Sequence, residues 1–208
     1  PLSTSQGLGS YVNNVGDLVN QGFEFALNAD IFRGGRDEFN MSVGFNLSTL
    51  DNEITNLYGG TVNTNTTTLR EGEGVRTFFL RKWAGVDAAN GDPLWYINGK
   101  DGKTTNDYNE AKQEVQGSFL STIFGGANLS LAYKGFSLDS QFTYGFGGKI
   151  YDDWSSYMFN DGQYTLNYPG YSDQMDYWTP TNTNAANPKP IYGLGNKNAN
   201  KASTRFLY

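Results

Sequence analysis

Residues that could carry out chemistry are few in this chain. It contains no histidine and no cysteine, which removes the commonest general base, the commonest metal ligand and the thiolate nucleophile. Carboxylates are the remaining candidates for acid–base catalysis, and Asp152-Asp153 is an adjacent pair. Nothing in the sequence holds two carboxyl groups on a rigid scaffold with opposed pKa values. We therefore expect no enzymatic activity and no cofactor.

Three oxygen-bearing side chains lie close together at Asp87, Asn90 and Asp92. Such groups suit calcium, but their spacing departs from that of an EF-hand loop and no glutamate follows at the required offset. Asn90-Gly91 is also a strong signal for a tight turn. These residues are interpreted as turn residues, and no metal site is predicted.

Aromatic side chains outside the regular segments offer a different chemistry, namely stacking on a ligand or packing against a partner. Aromatic rings are enriched in binding hot spots because each supplies a large rigid surface, and tyrosine and tryptophan add a polar tip. The alternative is that these rings form small cores within their own loops or belong to the outer aromatic girdle. The candidate ligand-binding or partner-contacting residues are Trp83, Trp95, Tyr96, Trp154, Tyr157 and Trp178.

The elements that must position these residues are long amphipathic strands. Residues 23–31 place Phe, Phe, Leu, Ala and Ile at alternate positions, with small or polar residues between them. The same alternation returns at 39–47, and again in a second pair of segments at 127–133 and 136–146. A period of two is that of a strand with one apolar and one polar face. Strands are predicted at roughly 16–32, 39–57, 117–133 and 136–150.

The connections between these strands are short and long in turn. Residues 33–38 and 134–135 are short turns, whereas 58–116 and 151–203 are long loops. This asymmetry is typical of outer-membrane up-and-down barrels, which have short periplasmic turns and long extracellular loops. Phe32, Phe39, Tyr133 and Phe136 flank the turns, where an interfacial aromatic belt would lie. A soluble β-sandwich also alternates, but strands of ~10 residues or more and one-sided loops favour the barrel.

In a membrane barrel the polar face of each strand lines a water-filled or plugged lumen. General polarity is enough for that role, so no single residue is assigned a specific task. The predicted lumen-facing residues are Glu24, Asn28, Asp30, Asn40, Asn46, Asn128, Asp139 and Gln141.

Composition narrows the range of partners. A net charge of -6 and a pI near 4.6 disfavour nucleic acid, since phosphate binding needs a basic face. Mean hydropathy is -0.55, and no run approaches the ~20 apolar residues of a membrane helix. That average is misleading for barrel strands, whose apolar face is hidden among polar neighbours. The chain begins at Pro1 without a charged-then-apolar leader, so we expect that any targeting segment has been removed or lies in upstream sequence.

Five stretches resemble, in order and spacing, the C-terminal barrel region of SusC-like TonB-dependent transporters. They are NVGDLVNQGFEFALNADIF, FNMSVGFNLSTLDNEITNL, WAGVDAANGDPLWY, FGGANLSLAYKGFSLDSQFTYGFGGKIYD and DYWTPTNTNAANPKP. The resemblance covers nearly the whole chain. It implies an all-β fold, a segment of an antiparallel up-and-down transmembrane barrel that does not close by itself, in the outer membrane of a Gram-negative bacterium.

The same resemblance implies a function and partners. Such barrels have 22 strands around a plug and import oligosaccharides or oligopeptides, with a SusD-like surface lipoprotein over the mouth and energy from the TonB complex. Neither the plug domain nor the TonB-contacting segment is found in this sequence, so the rest of the barrel, its plug and membrane lipid are expected partners. The substrate stays open between glycan and peptide. The alternative is a secreted or surface carbohydrate-binding β-sandwich module.

Overall fold

The computed structural model describes residues 14–163, 170–193 and 197–208. Within them the regular secondary structure is almost entirely β, as the alternating sequence predicts. In chain order the strands are β1 Gly16–Gln21, β2 Glu24–Phe32, β3 Asn40–Thr49, β4 Asp51–Leu57, β5 Val62–Asn63, β6 Thr67–Leu69, β7 Thr77–Arg81, β8 Trp83–Val86, β9 Pro93–Tyr96, β10 Thr104–Thr105, β11 Gln113–Ser118, β12 Ile123–Tyr133 and β13 Phe136–Phe146.

The main sheet has four antiparallel strands in the order β13-β12-β3-β2. Strands β2, β3, β12 and β13 contain 9, 10, 11 and 11 residues, respectively. This is the length that a tilted strand needs to cross a bilayer. Lys134 and Gly135 form the tight turn between β12 and β13, both with positive φ (47° and 86°). The outer edges of this sheet, on β2 and β13, have no strand partner among the described residues.

The first predicted strand, 16–32, is interrupted at Gly22. A Cβ atom there would lie 1.9 Å from the Thr49 carbonyl oxygen, so the close approach of the two backbones requires glycine. The ladder resumes at once, because the Thr49 amide donates to the Phe23 carbonyl at 2.8 Å. Beyond the break β1 pairs with β4, so the first hairpin extends past the main sheet.

The predicted strands 117–133 and 136–150 are both too long. Residues 117–118 belong to β11, which pairs with β7 in a separate sheet, and the main-sheet strand begins only at Ile123. At the other end, Gly147 has φ of +88° and ends β13 at Phe146. Residues other than glycine rarely adopt that backbone conformation. A Cβ atom at this position would also meet Thr122 Oγ1 at 2.3 Å. The sequence pattern did not reveal either boundary.

The two long loops, residues 58–122 and 147–208, form what we call the loop cap. The first loop holds the sheet β11-β7-β6-β5 and the sheet β10-β9-β8, so it contains more regular structure than its composition predicts. The second holds a short helix, α1 (Asp153–Met158), and the 3-10 helices Ser172–Met175 and Thr204–Phe206. In the described ranges no helix has the length and apolarity to cross a membrane.

The apolar face of the main sheet has no second sheet over it within the described chain. Phe25 is 55% exposed, Phe142 63% and Phe136 83%. Apart from Ile54 on β4, the buried hydrophobic residues of the described chain lie in the loop cap, with one cluster around Leu80 and another around Trp95. A sandwich buries the inner faces of both its sheets, so this fold is not a sandwich.

Candidate functional site

The main sheet separates its side chains into two faces, with exceptions such as Ser140 in an apolar row and Phe124 in a polar row. Strand register places apolar residues in common rows across the four strands, for example Leu27, Phe45, Ala127 and Phe142. The alternate rows carry most of the polar residues. By register, all eight predicted lumen-facing residues, from Glu24 to Gln141, share this opposite face. A sheet with one continuous apolar face needs an apolar medium or partner against it.

The middle of the polar face is a row of amides. Asn28, Gly44, Asn128 and Gln141 are paired in register, and they lie at or next to the midpoint of their four strands. A Cβ atom on Gly44 would lie 2.1 Å from Asn128 Oδ1 and 2.6 Å from Asn28 Oδ1. The glycine therefore makes room for two amide side chains that converge over it.

Nearer the turns, the polar residues have local partners. The next row pairs Asp30, Ser42, Ser130 and Asp139. Ser130 Oγ donates to Asp139 Oδ1 at 2.5 Å, and Arg33 Nε donates to Asp30 Oδ2 at 2.8 Å. These two carboxylates are thus engaged within the wall.

Asn40 differs from the other predicted lumen-facing residues because its amide serves the turn. Asn40 Oδ1 accepts from the Gly34 amide at 2.9 Å. Its Nδ2 donates to the Glu38 carbonyl at 3.1 Å and to the Gly35 carbonyl at 3.3 Å. Short polar side chains often satisfy turn backbone in this way, and here the amide is occupied by residues 34–38.

The loop cap is held together by ion pairs between distant residues. Asp161 and Arg205 form a buried pair, and Arg205 Nη2 also donates to Asn187 Oδ1 at 2.8 Å. The guanidinium lies over the Trp83 ring with its carbon 5.2 Å from the ring centroid. Burial raises the pKa of Asp161, and the Arg205 charge opposes that rise. The ion pair joins two parts of the second loop, and the contact of Arg205 with Trp83 ties the end of that loop to the first loop.

A second ion-pair centre surrounds Asp92. Its carboxylate accepts from Lys189 Nζ at 3.0 Å, Lys197 Nζ at 2.9 Å and Asn106 Nδ2 at 2.7 Å. Burial alone would raise the Asp92 pKa, but these hydrogen bonds outweigh it and hold the pKa below its ordinary value. Asp87 and Asn90 bond within their own turn, where Asn90 Nδ2 donates to Asp87 Oδ2 at 2.9 Å.

Trp95, predicted to contact a ligand or partner, is instead the centre of a loop core. It is 0% exposed. Its ring meets the Trp83 ring edge-on at 5.7 Å and the Tyr108 ring at 5.4 Å between centroids. Tyr108 Oη in turn donates to the Ala202 carbonyl at 2.7 Å. A residue without accessible surface cannot stack on a ligand, so the prediction for Trp95 is wrong.

Trp178 and Tyr96 also pack within the loop cap. Trp178 Nε1 donates to the Ala88 carbonyl at 3.0 Å, and its ring lies against Gly91. A Cβ atom on Gly91 would lie 2.6 Å from that ring, which explains the glycine of the Asn90-Gly91 turn. Tyr96 lies beneath Lys82, whose Nζ is 5.6 Å from the ring centroid. These contacts of Trp178 and Tyr96 are all with other residues of the loop cap.

Trp154 and Tyr157 are the two predicted aromatic residues that present substantial surface. Both lie on α1, their ring centroids are 6.3 Å apart, and Trp154 is 72% exposed. Tyr157 also lines a cleft of about 500 Å³ whose wall includes Asn65, Asp153, Ser156, Asn198 and Asn200. Asp152 caps the start of α1, and its Oδ1 accepts from the Ser155 amide at 3.0 Å. The helix cap thus fixes one wall of the cleft.

Several of these contacts could not be found from the sequence. The Tyr108–Ala202 hydrogen bond joins residues 94 positions apart, and the Trp83–Thr204 hydrogen bond joins residues 121 apart. No spacing rule links positions at such distances. The lone signal was the abundance of aromatic and asparagine residues in the two loops.

The exposed apolar face, the polar opposite face and the interlocked loops at one end define a wall segment of an up-and-down β-barrel. Along its whole length the chain is 26% identical to TonB-dependent receptor P3 of Formosa agariphila, and it covers 22% of that protein. TonB-dependent receptor P26 of the same organism is 28% identical over 88% of this chain, which covers 20% of that relative. No family model matches the chain.

Solved structures agree with these relatives. The structure of the RagAB peptide transporter superposes with a TM-score of 0.80 at 25% identity, over all of this chain and 23% of that one. The RagAB peptide importer in its open-open state gives 0.79 at 26% identity, with 22% of that chain covered. This chain therefore spans about a fifth of the length of the proteins that it matches.

These comparisons confirm two predictions. The resemblance to part of a SusC-like TonB-dependent transporter is confirmed. So is the fold class, because the described strands form open antiparallel sheets like those of a β-barrel segment.

Proposed function

We propose that this chain forms part of the wall of an outer-membrane, TonB-dependent importer in a Gram-negative bacterium. The observation that carries the proposal is the bare apolar face of the main sheet, with rows of polar residues on the reverse. A bilayer would cover the first face and a lumen with its plug the second. The relatives named TonB-dependent receptors and the RagAB transporter add support.

The edges of the main sheet support a multi-pass barrel. A lipid-exposed sheet edge would leave backbone N–H and C=O groups without partners, at a cost of several kcal/mol for each group. In this proposal the rest of the same barrel pairs with β2 and β13. The turns at 33–38 and 134–135 then face the periplasm, and the loop cap lies outside the cell.

The proposed substrates are oligosaccharides or oligopeptides, and the proposed partner is a SusD-like lipoprotein over the mouth of the barrel. The name of the RagAB peptide importer favours peptides for that protein. In this chain, Trp154 and Tyr157 offer exposed rings at the loop end, where a substrate or a surface partner would be met. The TonB complex would act on a part of the protein outside this segment.

Uptake by the full-length protein tests this function. Cells that express it should import fluorescent oligosaccharides or oligopeptides, and import should stop when TonB is deleted or the proton gradient is collapsed. A matched strain carrying an unrelated TonB-dependent receptor controls for leakage. Uptake that continues without TonB would indicate a passive pore and refute the proposal.

A further inference from the structure

The cleft of the loop cap contains an amide whose hydrogen-bonding groups are unused. Nδ2 and Oδ1 of Asn200 are both buried and have no hydrogen-bond partner, although Asn200 contributes to the cleft wall. A buried polar group without a partner is uncommon in native proteins, and it loses its bonds to water without compensation. A donor and an acceptor left open on one side chain indicate a ligand that offers both.

The cleft wall around Asn200 is polar and nearly balanced in charge. It is about 500 Å³ in volume, within the range of small-ligand sites. Asp153 and Lys201 supply one charge of each sign, and Asn65, Asn198 and Ser156 supply neutral polar groups. A strongly charged ligand would therefore find no excess of opposite charge.

Neighbouring contacts hold the backbone of this wall in place. The backbone N–H of Asn200 donates to Asn198 Oδ1 at 2.9 Å, and the Tyr108 hydroxyl donates to the Ala202 carbonyl at 2.7 Å. These bonds fix the chain on either side of the Asn200 side chain.

We propose that this cleft is a subsite for an uncharged ligand segment that presents a hydrogen-bond donor and acceptor side by side, with the Asn200 amide as their partner. Vicinal sugar hydroxyls and the N–H and C=O of one extended peptide residue both have this chemistry. Tyr157, with Trp154 next to it, provides an aromatic rim on which the segment packs. The inference rests on the proposed function and assigns part of substrate recognition to this site.

The test uses the full-length transporter in detergent and two ligand pools, neutral oligosaccharides and end-blocked uncharged oligopeptides. Affinity is measured by calorimetry for the wild type, Asn200→Ala and Asn184→Ala. Asn184 is an exposed asparagine elsewhere in the second loop and is the matched control. Asn200→Ala should weaken binding of one pool about tenfold, which corresponds to ~1.4 kcal/mol, and Asn184→Ala should not.

A second measurement separates binding from structure. Because Asn200→Ala removes an unsatisfied amide, the loops should resist limited proteolysis at least as well as in the wild type. Loops that become more protease-sensitive would assign Asn200 a structural role and overturn the proposal, as would an unchanged affinity. Binding of charged ligands alone would overturn the ligand class while leaving TonB-dependent import intact. The pool that binds distinguishes glycan from peptide.

Discussion

An arginine on the apolar face should destabilise the assembled barrel by an amount that depends on the depth of the residue in the bilayer. The row of Asn28, Gly44, Asn128 and Gln141 marks the middle of the main sheet. Val43 is one residue from that row, or about 2 Å in depth for a strand rising ~3.3 Å per residue at a tilt of ~45°. Phe25 is three residues from Asn28, or about 7 Å by the same geometry.

Depth sets the expected cost of each substitution. A lipid-facing arginine costs about 2–4 kcal/mol at the midplane and about 0–1 kcal/mol near the interface. Val43→Arg should therefore destabilise the barrel by about 2–4 kcal/mol and Phe25→Arg by about 1–2 kcal/mol. Gln141 lies within about 2 Å of Val43 in depth but on the polar face, so Gln141→Arg should cost little.

The assay is urea unfolding of the full-length protein in lipid vesicles, together with the amount of folded protein in outer-membrane fractions. The loss of stability should be largest for Val43→Arg, smaller for Phe25→Arg and smallest for Gln141→Arg. An equal loss of stability in Val43→Arg and Gln141→Arg would refute the assignment of the two faces. So would a Val43→Arg protein that is as stable as the wild type.

Three further predictions concern the wall and the loop cap. Gly44→Leu should lower the yield of folded protein, because its side chain would collide with Asn128 Oδ1, and adding Asn128→Ala should recover part of that yield. Asp161→Leu should make the loops protease-sensitive, because an unpaired buried Arg205 costs about 3–5 kcal/mol, whereas the double variant with Arg205→Leu should be milder. The lowered Asp92 pKa favours the ionised form in the folded protein, so its stabilisation is present above the ordinary value of 3.8 and lost as pH falls through the folded-state value. Proteolysis of the loops against pH should show this loss, and Asp92→Asn should lack it.

Local periodicity was enough to predict the main sheet. The alternation through Phe25, Leu27, Val43 and Phe45 determines which residues share a face, because successive side chains of a strand point in opposite directions. The turn at Lys134-Gly135 follows from glycine chemistry in the same way. Neither feature requires knowledge of any distant residue.

The breaks and the loop cap depend on distant contacts and could not be predicted. Gly22 interrupts the first strand because it meets the Thr49 carbonyl, and nothing near Gly22 in sequence reveals that approach. Trp95 is indistinguishable in sequence from the exposed Trp154, yet it is buried by Trp83 and Tyr108. Whether a loop aromatic binds or packs is decided by which other segments reach it.

Spin labels placed one at a time along β3 test the central claim most directly. The chain contains no cysteine, so single cysteines from Met41 to Leu47 in the full-length protein, with the crowded Gly44 left unchanged, would give clean labelling within this segment. In lipid vesicles, labels at Val43 and Phe45 should collide with oxygen dissolved in the bilayer, and labels at Ser42 and Asn46 should not. Collision with a water-soluble nickel reagent should be weak at Val43 and Phe45. Equal exposure of both sets to the aqueous reagent, without a period of two, would contradict the account.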